Sequence, residues 1–324
     1  MQAHSLQKPN TLWVLGTGGT ISGLAEDAAD VRGYTAGQVG VDQLLAGVAL
    51  PSTGQVKAQQ IAQVDSKDMT WAIWLALLQA VRDHLAEPET KGVVITHGTD
   101  TMEETAYFLH LCLGEQVRDK AVVLTGAMLP ASAAQPDGPQ NIAAALRLAA
   151  DADACGVMLC MAGEAWSALE GQKLHGDRLD AFGARAGQAV ALVSNGGVVW
   201  RDAAPLPSTW QVEQLSADAP WVEIVVSGTQ PQGSTLALLH AAGLQGAVVA
   251  TTGNGTVHEE LQRAAEQAYA AGLPIVRASR TAHGHIQDGH PNAIPAVGPL
   301  SPFKARVAMM VALAAGQDAT ALYP

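Results

Sequence analysis

Four short polar segments of the chain hold the side chains best suited to chemistry. They are Gly16–Thr20 (GTGGT), Asp65–Asp68 (DSKD), Thr96–Thr101 (THGTDT) and Thr125–Met128 (TGAM). Most carry hydroxyl or carboxyl groups, and their glycines let the backbone approach a ligand closely. A threonine hydroxyl becomes a nucleophile when a neighbouring base takes its proton, so these residue types favour attack on a carbonyl group.

Apolar patterning places these segments at strand ends and helix starts. Thr11–Leu15, Gly92–Thr96 and Ala121–Thr125 are short apolar runs typical of buried strands. Helical spacing of apolar residues predicts a helix from Trp71, and a Thr-x-x-Glu capping box predicts that another begins at Thr101. Strands that alternate with helices imply parallel sheets, whose carboxyl edge lines the site. We therefore expect the polar segments to meet at one edge of a sheet.

The same alternation continues along the chain and defines the predicted fold class. We expect an α/β protein with a larger N-terminal domain built on a parallel sheet, residues 1–203, and a smaller α/β domain, residues 221–324. Residues 204–220, with prolines and few aliphatic side chains, form the predicted linker, and 22–40 form a long loop. The remaining predicted elements are strands Gly156–Met161, Val222–Val226, Gly246–Thr251 and Pro274–Ala278, a hairpin over Val190–Trp200, and helices from Pro139 and over Thr235–Ala242, Val257–Ala271 and Pro302–Ala315.

Composition narrows the class of protein. Of the 324 residues, 48% are hydrophobic and 15% are charged, which indicates a folded chain. The net charge of −12 argues against nucleic-acid binding, because neutralising phosphates needs clustered lysine and arginine. The three cysteines lack the ligand spacing of a metal site, and neither a metal nor another cofactor is expected. No apolar run reaches membrane-spanning length and no apolar leader is evident, so we expect a cytoplasmic protein without membrane contact.

Each polar segment also has a simpler interpretation. A glycine-rich turn after a first strand often binds a nucleotide, but the G-x-G-x-x-G pattern is broken here by Ile21 and no P-loop lysine follows. Asp65–Asp68 alone is typical of a helix N-terminus, and Thr99–Thr101 alone of helix caps. We expect His97, which precedes a glycine, to be a packed or backbone-bonded histidine rather than a base. The joint placement of the segments is what favours a catalytic site.

Together the segments resemble one family across nearly the whole chain. TGGTI, GYTAGQVGV, DSKDM and the long run VVITHGTDTMEETAYFL are similar to the bacterial L-asparaginases of the threonine-dependent type. LTGAMLP, DGPQN, GNG and KARV extend the resemblance towards the C-terminus. The long run is the most specific of these motifs. The resemblance implies an amidohydrolase that converts L-asparagine to L-aspartate and ammonia without a cofactor.

The resemblance also implies two threonine clusters in one site. Thr20 and Tyr34 would belong to a loop that closes over the substrate, whereas Thr99, Asp100 and Lys173 would form a rigid second cluster. Lys173 is placed by the looser match of KLHGDRLDAF, and without the family it would be interpreted as a surface lysine. We predict Thr20 as the nucleophile, because a hydroxyl on a closing loop can be withdrawn for product release. The reverse order, with Thr99 attacking first, stays open.

The remaining implied contacts concern substrate binding. Asp100 is suited to the α-ammonium group, and Ser66 with nearby N–H groups, next to Asp65, to the α-carboxylate. Backbone N–H groups around Thr99 and Ala127 would stabilise the oxyanion. In the family a neighbouring subunit completes each site through residues after the GNG motif, where Thr256 stands here. We therefore expect a homo-oligomer, a dimer or a tetramer.

Two departures from the family affect the substrate. Lys67 stands where many secreted members carry glutamine, and it would repel an α-ammonium unless it points away or pairs with Asp65 or Asp68. The acidic residue expected after Thr256 has no clear counterpart, and Asp288 is not assigned to it. Because that acid helps to hold the longer substrate, its loss favours asparagine over glutamine.

Two alternative functions are weighed beside the amidohydrolase. An asparaginase-like subunit of a tRNA-dependent amidotransferase would carry an extra domain before the TGGTI strand, and few residues precede that strand here. A non-catalytic amino-acid-binding protein would not need suitable residues at all five expected catalytic positions.

Overall fold

A computed structural model describes residues 10–50, 54–203, 209–210, 212–287 and 292–320 of the protein. Its contacts divide the chain into two units. The first unit is Met1–Gly183 with Gln188–Ser208, and the second is Ala184–Gly187 with Thr209–Pro324. Part of the predicted linker, 204–208 and residue 211, lies outside the described residues, as does Asp288. The predicted limits of the domains stay a prediction.

The first unit is built on one eight-stranded sheet, with a separate pair of short strands beside it. Its strands are β1 (Thr11–Gly18), β2 (Gln55–Val64), β3 (Thr90–Thr96), β4 (Ala121–Thr125), β5 (Gly156–Met161), β6 (Glu164–Ser167), β7 (Gly171–Lys173), β8 (Phe182–Ala184), β9 (Ala191–Ser194) and β10 (Gly197–Trp200). The order in the large sheet is β10-β9-β6-β5-β4-β3-β1-β2, and β7 pairs with β8.

The strand order determines where a ligand site can form. The five strands β2, β1, β3, β4 and β5 are all parallel, whereas β6, β9 and β10 add an antiparallel end. From β1 the chain goes to β2 on one side and then to β3 on the other. Such a reversal opens a crevice at the carboxyl ends of the two strands. The predicted α/β class with a parallel sheet is confirmed, and the crevice lies where β1 and β3 end.

The described residues of this unit include the α-helices α1 (Val41–Leu45), α2 (Trp71–Ala86), α3 (Met102–Leu113) and α4 (Gly138–Ala150). Thr70 caps α2, because its side chain accepts a hydrogen bond from the N–H of Ile73. Strands β4 and β5 are buried along their whole length, as expected for parallel strands covered on both faces. The predicted helix after Asp100 is present, but the capping box is wrong. Thr101 makes no side-chain cap and donates its hydroxyl hydrogen bond to the Ser66 carbonyl instead.

Two elements of the structure differ from those that the sequence pattern predicts. The long strand β2 was not predicted, because its polar sequence QVKAQQIAQV lies at the sheet edge and largely lacks buried side chains. The predicted loop over 22–40 contains a bridge between Leu24 and Thr35, and a single 3-10 turn, Thr20–Ser22, precedes it. The loop therefore folds back on itself as a short flap, joined by this single bridge.

The second unit is a smaller α/β layer. Parallel strands β11 (Val222–Val226), β12 (Gly246–Thr251) and β13 (Ile275–Ser279) lie in that order, with helices α5 (Gly233–Ala241), α6 (Glu259–Ala270) and α7 (Pro302–Ala314). Aliphatic residues of β12 and β13 pack with α5 and α6, and this burial forms its core. In the described part of the chain, no helix combines the length and apolarity needed to cross a membrane.

Candidate active site

The backbones of two polar loops meet at glycines. Gly18 ends β1 and Gly19 follows it, with φ angles of 108° and 85°, a region that favours glycine. A Cβ atom on Gly19 would lie 2.3 Å from the Cα of Gly98, which follows β3. The two backbones can come this close only because both residues are glycines and have no side chain. This approach brings Thr20 and Thr99, the residues after each glycine, to the same place at the carboxyl edge of the sheet.

Thr20 is hydrogen-bonded to Tyr34, the other residue of the first predicted cluster. Its Oγ1 lies 2.6 Å from the phenolic oxygen of Tyr34, and both side chains are partly buried. The Tyr34 ring lies against Gly23, where a Cβ atom would come within 2.6 Å of it. Two hydrogen bonds tie the beginning of this flap to the loop after β4: Ala131 N–H to the Gly23 carbonyl, and Ala25 N–H to the Ser132 hydroxyl.

The second predicted cluster is also assembled. Lys173 Nζ donates to Thr99 Oγ1 at 2.8 Å and to Asp100 Oδ1 at 2.6 Å. Thr99 is buried and the Lys173 side chain is 15% exposed, whereas the Asp100 side chain is 62% exposed. A surface lysine is therefore the wrong interpretation of Lys173. The backbone N–H of Lys173 donates to the buried carboxylate of Glu103, on the first turn of α3, at 2.6 Å.

The segment after β2 completes one wall. Ser66 is buried against Gly98, where a Cβ atom would meet its hydroxyl at 2.5 Å. Asp65 accepts a hydrogen bond from the N–H of Lys67, and its predicted contact with substrate stays a prediction. Lys67 Nζ forms ion pairs with Asp68 at 2.5 Å and with Asp65 at 3.4 Å. The hydrogen bond to Asp68 raises the pKa of Lys67, which therefore stays charged while paired.

The loop after β4 packs against the loop after β3. Gly126 packs against the second cluster, because a Cβ atom placed on it would lie 3.2 Å from Thr99 Cγ2. Ala127 is the next residue in the chain. Ala127 is buried. Thr256 belongs to the second unit, where its hydroxyl lies 2.8 Å from that of Thr252 in the turn around GNG. Its role towards a neighbouring subunit stays a prediction.

His97 is a packed histidine, as predicted. Its Nδ1 donates to the Gly98 carbonyl at 2.7 Å, and its Nε2 lies 2.9 Å from the Thr105 hydroxyl, which also accepts from the Trp74 indole. Burial lowers the pKa of His97 to about 4, so the ring is neutral near pH 7. A neutral imidazole with both nitrogens occupied is suited to structure rather than to proton transfer.

Glu103, Asp137 and Asn141 lie in the quoted motifs and bind the site segments, although no role was predicted for them from the sequence. Glu103 accepts a hydrogen bond from the Lys173 N–H, and Asp137 and Asn141 form hydrogen bonds with the backbone of the loop after β4. Their signal was present in the HGTDTMEETA and DGPQN motifs, but only contacts distant in sequence reveal what they bind. Among the described residues, no group of three or more His, Cys, Asp or Glu side chains is arranged to hold a metal ion.

A parallel α/β sheet with paired threonines at its switch point is the arrangement expected of the predicted family, and comparison with known proteins agrees. Residues 11–206 match the family described as Asparaginase, N-terminal. Residues 222–323 match the Glutaminase/Asparaginase C-terminal domain. The chain belongs to the asparaginase family, and the predicted resemblance is confirmed.

Individual relatives match over nearly their whole length. The chain is 34% identical to a "Probable L-asparaginase periplasmic" of Haemophilus influenzae, over 98% of this chain and 92% of that protein. It is 33% identical to a "Glutaminase-asparaginase" of Pseudomonas aeruginosa, over 98% of this chain and 90% of that one. The solved structure of a "Probable Cytoplasmic L-asparaginase" from Campylobacter jejuni matches with a TM-score of 0.85 and 33% identity, over 94% of this chain and 95% of that chain.

Proposed function

We propose that this protein hydrolyses the side-chain amide of L-asparagine to L-aspartate and ammonia, with Thr20 as the nucleophile. The observation that carries the proposal is the 2.6 Å contact between Thr20 Oγ1 and the Tyr34 hydroxyl, beside the bonded trio of Thr99, Asp100 and Lys173. Two hydrogen-bonded threonine hydroxyls in one crevice suit a reaction with two addition steps. The relatives named above favour neither of the alternative functions.

The first half of the reaction transfers the acyl group to the enzyme. Thr20 Oγ1 attacks the side-chain carbonyl carbon, and its proton passes to the Tyr34 oxygen while the proton of the Tyr34 hydroxyl is released towards the amide nitrogen. The tetrahedral oxyanion collapses, the C–N bond breaks, and the nitrogen takes a proton and leaves as ammonia. Backbone N–H groups near Thr99 and Ala127 stabilise the oxyanion, at roughly 3–4 kcal/mol for each well-placed donor.

The second half releases the product. Water adds to the ester with Thr99 and Lys173 orienting it, and the ester oxygen returns to Thr20 with a proton. Asp100, whose exposed carboxylate lies at the rim, holds the α-ammonium, and Ser66 with nearby N–H groups holds the α-carboxylate. The site needs no metal or organic cofactor for these steps.

The finer features of the family are carried over as parts of the same proposal. Asparagine is the preferred amide and glutamine a minor substrate. Comparable kcat/KM values for the two amides would contradict that preference. A cytoplasmic location stays a prediction, since the Campylobacter jejuni neighbour is described as cytoplasmic and the Haemophilus influenzae relative as periplasmic.

Ammonia release from L-asparagine, D-asparagine and L-glutamine tests the proposal. The wild-type protein should release ammonia fastest from L-asparagine, and Thr20→Ala should lose at least about a thousandfold in kcat. Thr235→Ala, which removes the hydroxyl of an exposed threonine on α5, is the matched control and should behave as wild type. Release from none of the amides by the wild-type protein would overturn the proposed function.

A further inference from the structure

One backbone N–H in the loop after β4 differs from its neighbours in its hydrogen bonding. The Gly126 N–H donates to the Met161 sulfur at 3.3 Å, and the N–H groups of Met128 and Leu129 donate to Asp137 at 2.9 Å each. For the N–H of the buried Ala127, the described residues offer no acceptor. A buried N–H is nearly always paired, so this one is suited to a ligand atom.

Two side chains hold this loop from one side. Asp137 uses both carboxylate oxygens, Oδ2 for Met128 N–H and Oδ1 for Leu129 N–H. The buried Asn141 donates through Nδ2 to the Gly126 carbonyl at 3.0 Å and to Asp137 Oδ2 at 3.1 Å. Its Oδ1 accepts from the N–H of Ala162 at 3.1 Å, which fixes the orientation of the amide.

These bonds set the direction of both peptide groups that flank Ala127. In a trans peptide the N–H and C=O point in opposite directions. The Gly126 carbonyl points towards Asn141, so the Ala127 N–H points away from it. The Met128 N–H points towards Asp137, so the Ala127 carbonyl points away from that carboxylate. Because Asp137 and Asn141 are bonded to each other, one donor and one acceptor of Ala127 face away from the pair together.

We propose that Asp137 and Asn141 are positioning residues, which hold Ala127 so that its N–H and its carbonyl together recognise a carboxamide and disfavour a carboxylate. This role rests on the proposed function. A carboxamide offers an oxygen to the N–H and an NH₂ group to the carbonyl. A carboxylate places a negative oxygen against the carbonyl, and the product is therefore released rather than retained.

Asp137 is used in a way that supports this role. It stands at the N-cap of α4, where an aspartate commonly accepts from the first N–H groups of the helix. Here its side chain makes no cap and is engaged by the loop instead. Thr101 at the start of α3 likewise gives up its cap to bind the Ser66 carbonyl. Both helices begin with a residue whose side chain serves the adjacent site loop.

The test compares Asp137→Asn with Asp151→Asn, a matched change at the other end of α4. Asp151 also accepts two hydrogen bonds, from Asp153 N–H and from the Trp200 indole, and it has no part in the site. Asp137→Asn should lower kcat for L-asparagine roughly 10- to 100-fold, because the Ala127 N–H acts on the oxyanion, and should raise KM, because the Ala127 carbonyl binds the carboxamide of the bound substrate. The inhibition constant for L-aspartate should fall relative to KM, and Asp151→Asn should match wild type in all three values.

Hydrogen exchange measured by mass spectrometry provides a readout that does not need turnover. Exchange in residues 126–129 should accelerate in Asp137→Asn and remain unchanged in Asp151→Asn. If Asp137→Asn does not fold, Asn141→Ser removes the bond to Gly126 and tests the same loop. Unchanged kcat and unchanged aspartate inhibition in a folded, active variant would overturn the role of the pair alone. A wild-type protein that releases no ammonia would overturn the proposed function and this role together.

Discussion

At the scale of single residues, the two candidate threonines differ in what their partners can do. Tyr34 shares one short hydrogen bond with Thr20, and either oxygen can be the donor. Lys173 donates to Thr99 and is ion-paired with Asp100. A group that donates to an oxygen does not accept the proton of that oxygen at the same time. This asymmetry favours Thr20 as the first attacker and Thr99 as the residue that orients water.

The order of attack can be read from a trapped intermediate. Lys173→Met keeps the length of the side chain and removes its charge and hydrogen bonds, so the second half-reaction should slow by at least about a hundredfold. An aspartyl ester should then accumulate on Thr20, where peptide mass spectrometry after an acid quench would locate it. Lys91→Met, on a strand away from the site, is the control and should accumulate none. An ester on Thr99 would reverse the proposed order.

Lys67 has less influence on the substrate than its charge alone suggests. Its ammonium is already paired with Asp68 and Asp65 and largely exposed, so solvent and both carboxylates screen it. We expect Lys67→Gln to change KM for L-asparagine by less than about threefold, with kcat unaltered. Steady-state kinetics at low ionic strength provide the measurement. A fall in KM of tenfold or more would mean that the lysine repels the α-ammonium group in the bound state.

At the scale of elements, the site depends on loops that pass one another at their glycines. The crossing of the β1 and β3 loops leaves no space for a side chain at Gly19, and its φ of 85° is strained for any other residue. The helices α3 and α4 support two neighbouring segments instead of making ordinary caps: Thr101 binds the segment after β2, and Asp137 binds the loop after β4. Elements and loops are therefore coupled, and a change at the crossing affects both.

Gly19→Ala tests the crossing. The substitution should destabilise the protein by about 2–4 kcal/mol, from the positive φ and the overlap with Gly98, and should abolish most activity. Gly47→Ala is the control, because its added Cβ meets no atom within 4 Å and its φ is not in the positive region. Urea unfolding of both variants gives the comparison. A Gly19→Ala protein as stable as Gly47→Ala would contradict the proposed close approach.

The buried His97 at the end of β3 makes stability depend on pH. Its pKa is about 4 in the folded protein and 6.5 in an ordinary environment, so the unfolded chain binds a proton first as pH falls. The free energy of unfolding is therefore expected to decrease between pH 6.5 and 4, by about 3 kcal/mol from this group, and to be unaffected by it above that range. Urea titrations at pH 7, 5.5 and 4.5 should show this loss. His97→Gln should have a shallower pH dependence, and an equal slope would rule out the histidine as its cause.

At the scale of the whole molecule, the expected oligomer predicts that enzymatic activity depends on subunit association. Thr256 lies in the second unit, and its predicted part is to complete the site of a neighbouring subunit. Light scattering should show a dimer or a tetramer, and specific activity should fall as dilution separates the subunits. Mixing Thr20→Ala with Thr256→Trp under conditions that exchange subunits should restore part of the activity, because some sites then contain both native residues. A monomer with full activity would contradict a shared site.

Much of this architecture follows from local sequence. Buried strands such as β3 and β4 are recognisable as short apolar runs, and helices such as α2 by their period, because both signals depend on near neighbours in the chain. The polar segments at the strand ends, with Thr20, Thr99 and Asp100, are predictable for the same reason. The family motifs added Tyr34 and Lys173, which residue type alone would not have selected.

The tertiary structure decided what is joined across long stretches of sequence. Lys173 meets Thr99 over 74 positions, because Glu103 of α3 holds the Lys173 N–H. The strand order, with β1 beside β3, brings the loops of Thr20 and Thr99 together. Two further features were not predicted from the sequence pattern. One is the polar edge strand β2, and the other is that Asp137 binds the loop after β4 instead of capping its helix. Both features depend on packing against backbone that is distant in the sequence, where each N–H and carbonyl needs a hydrogen-bond partner. The local periodicity of the sequence does not reveal that requirement.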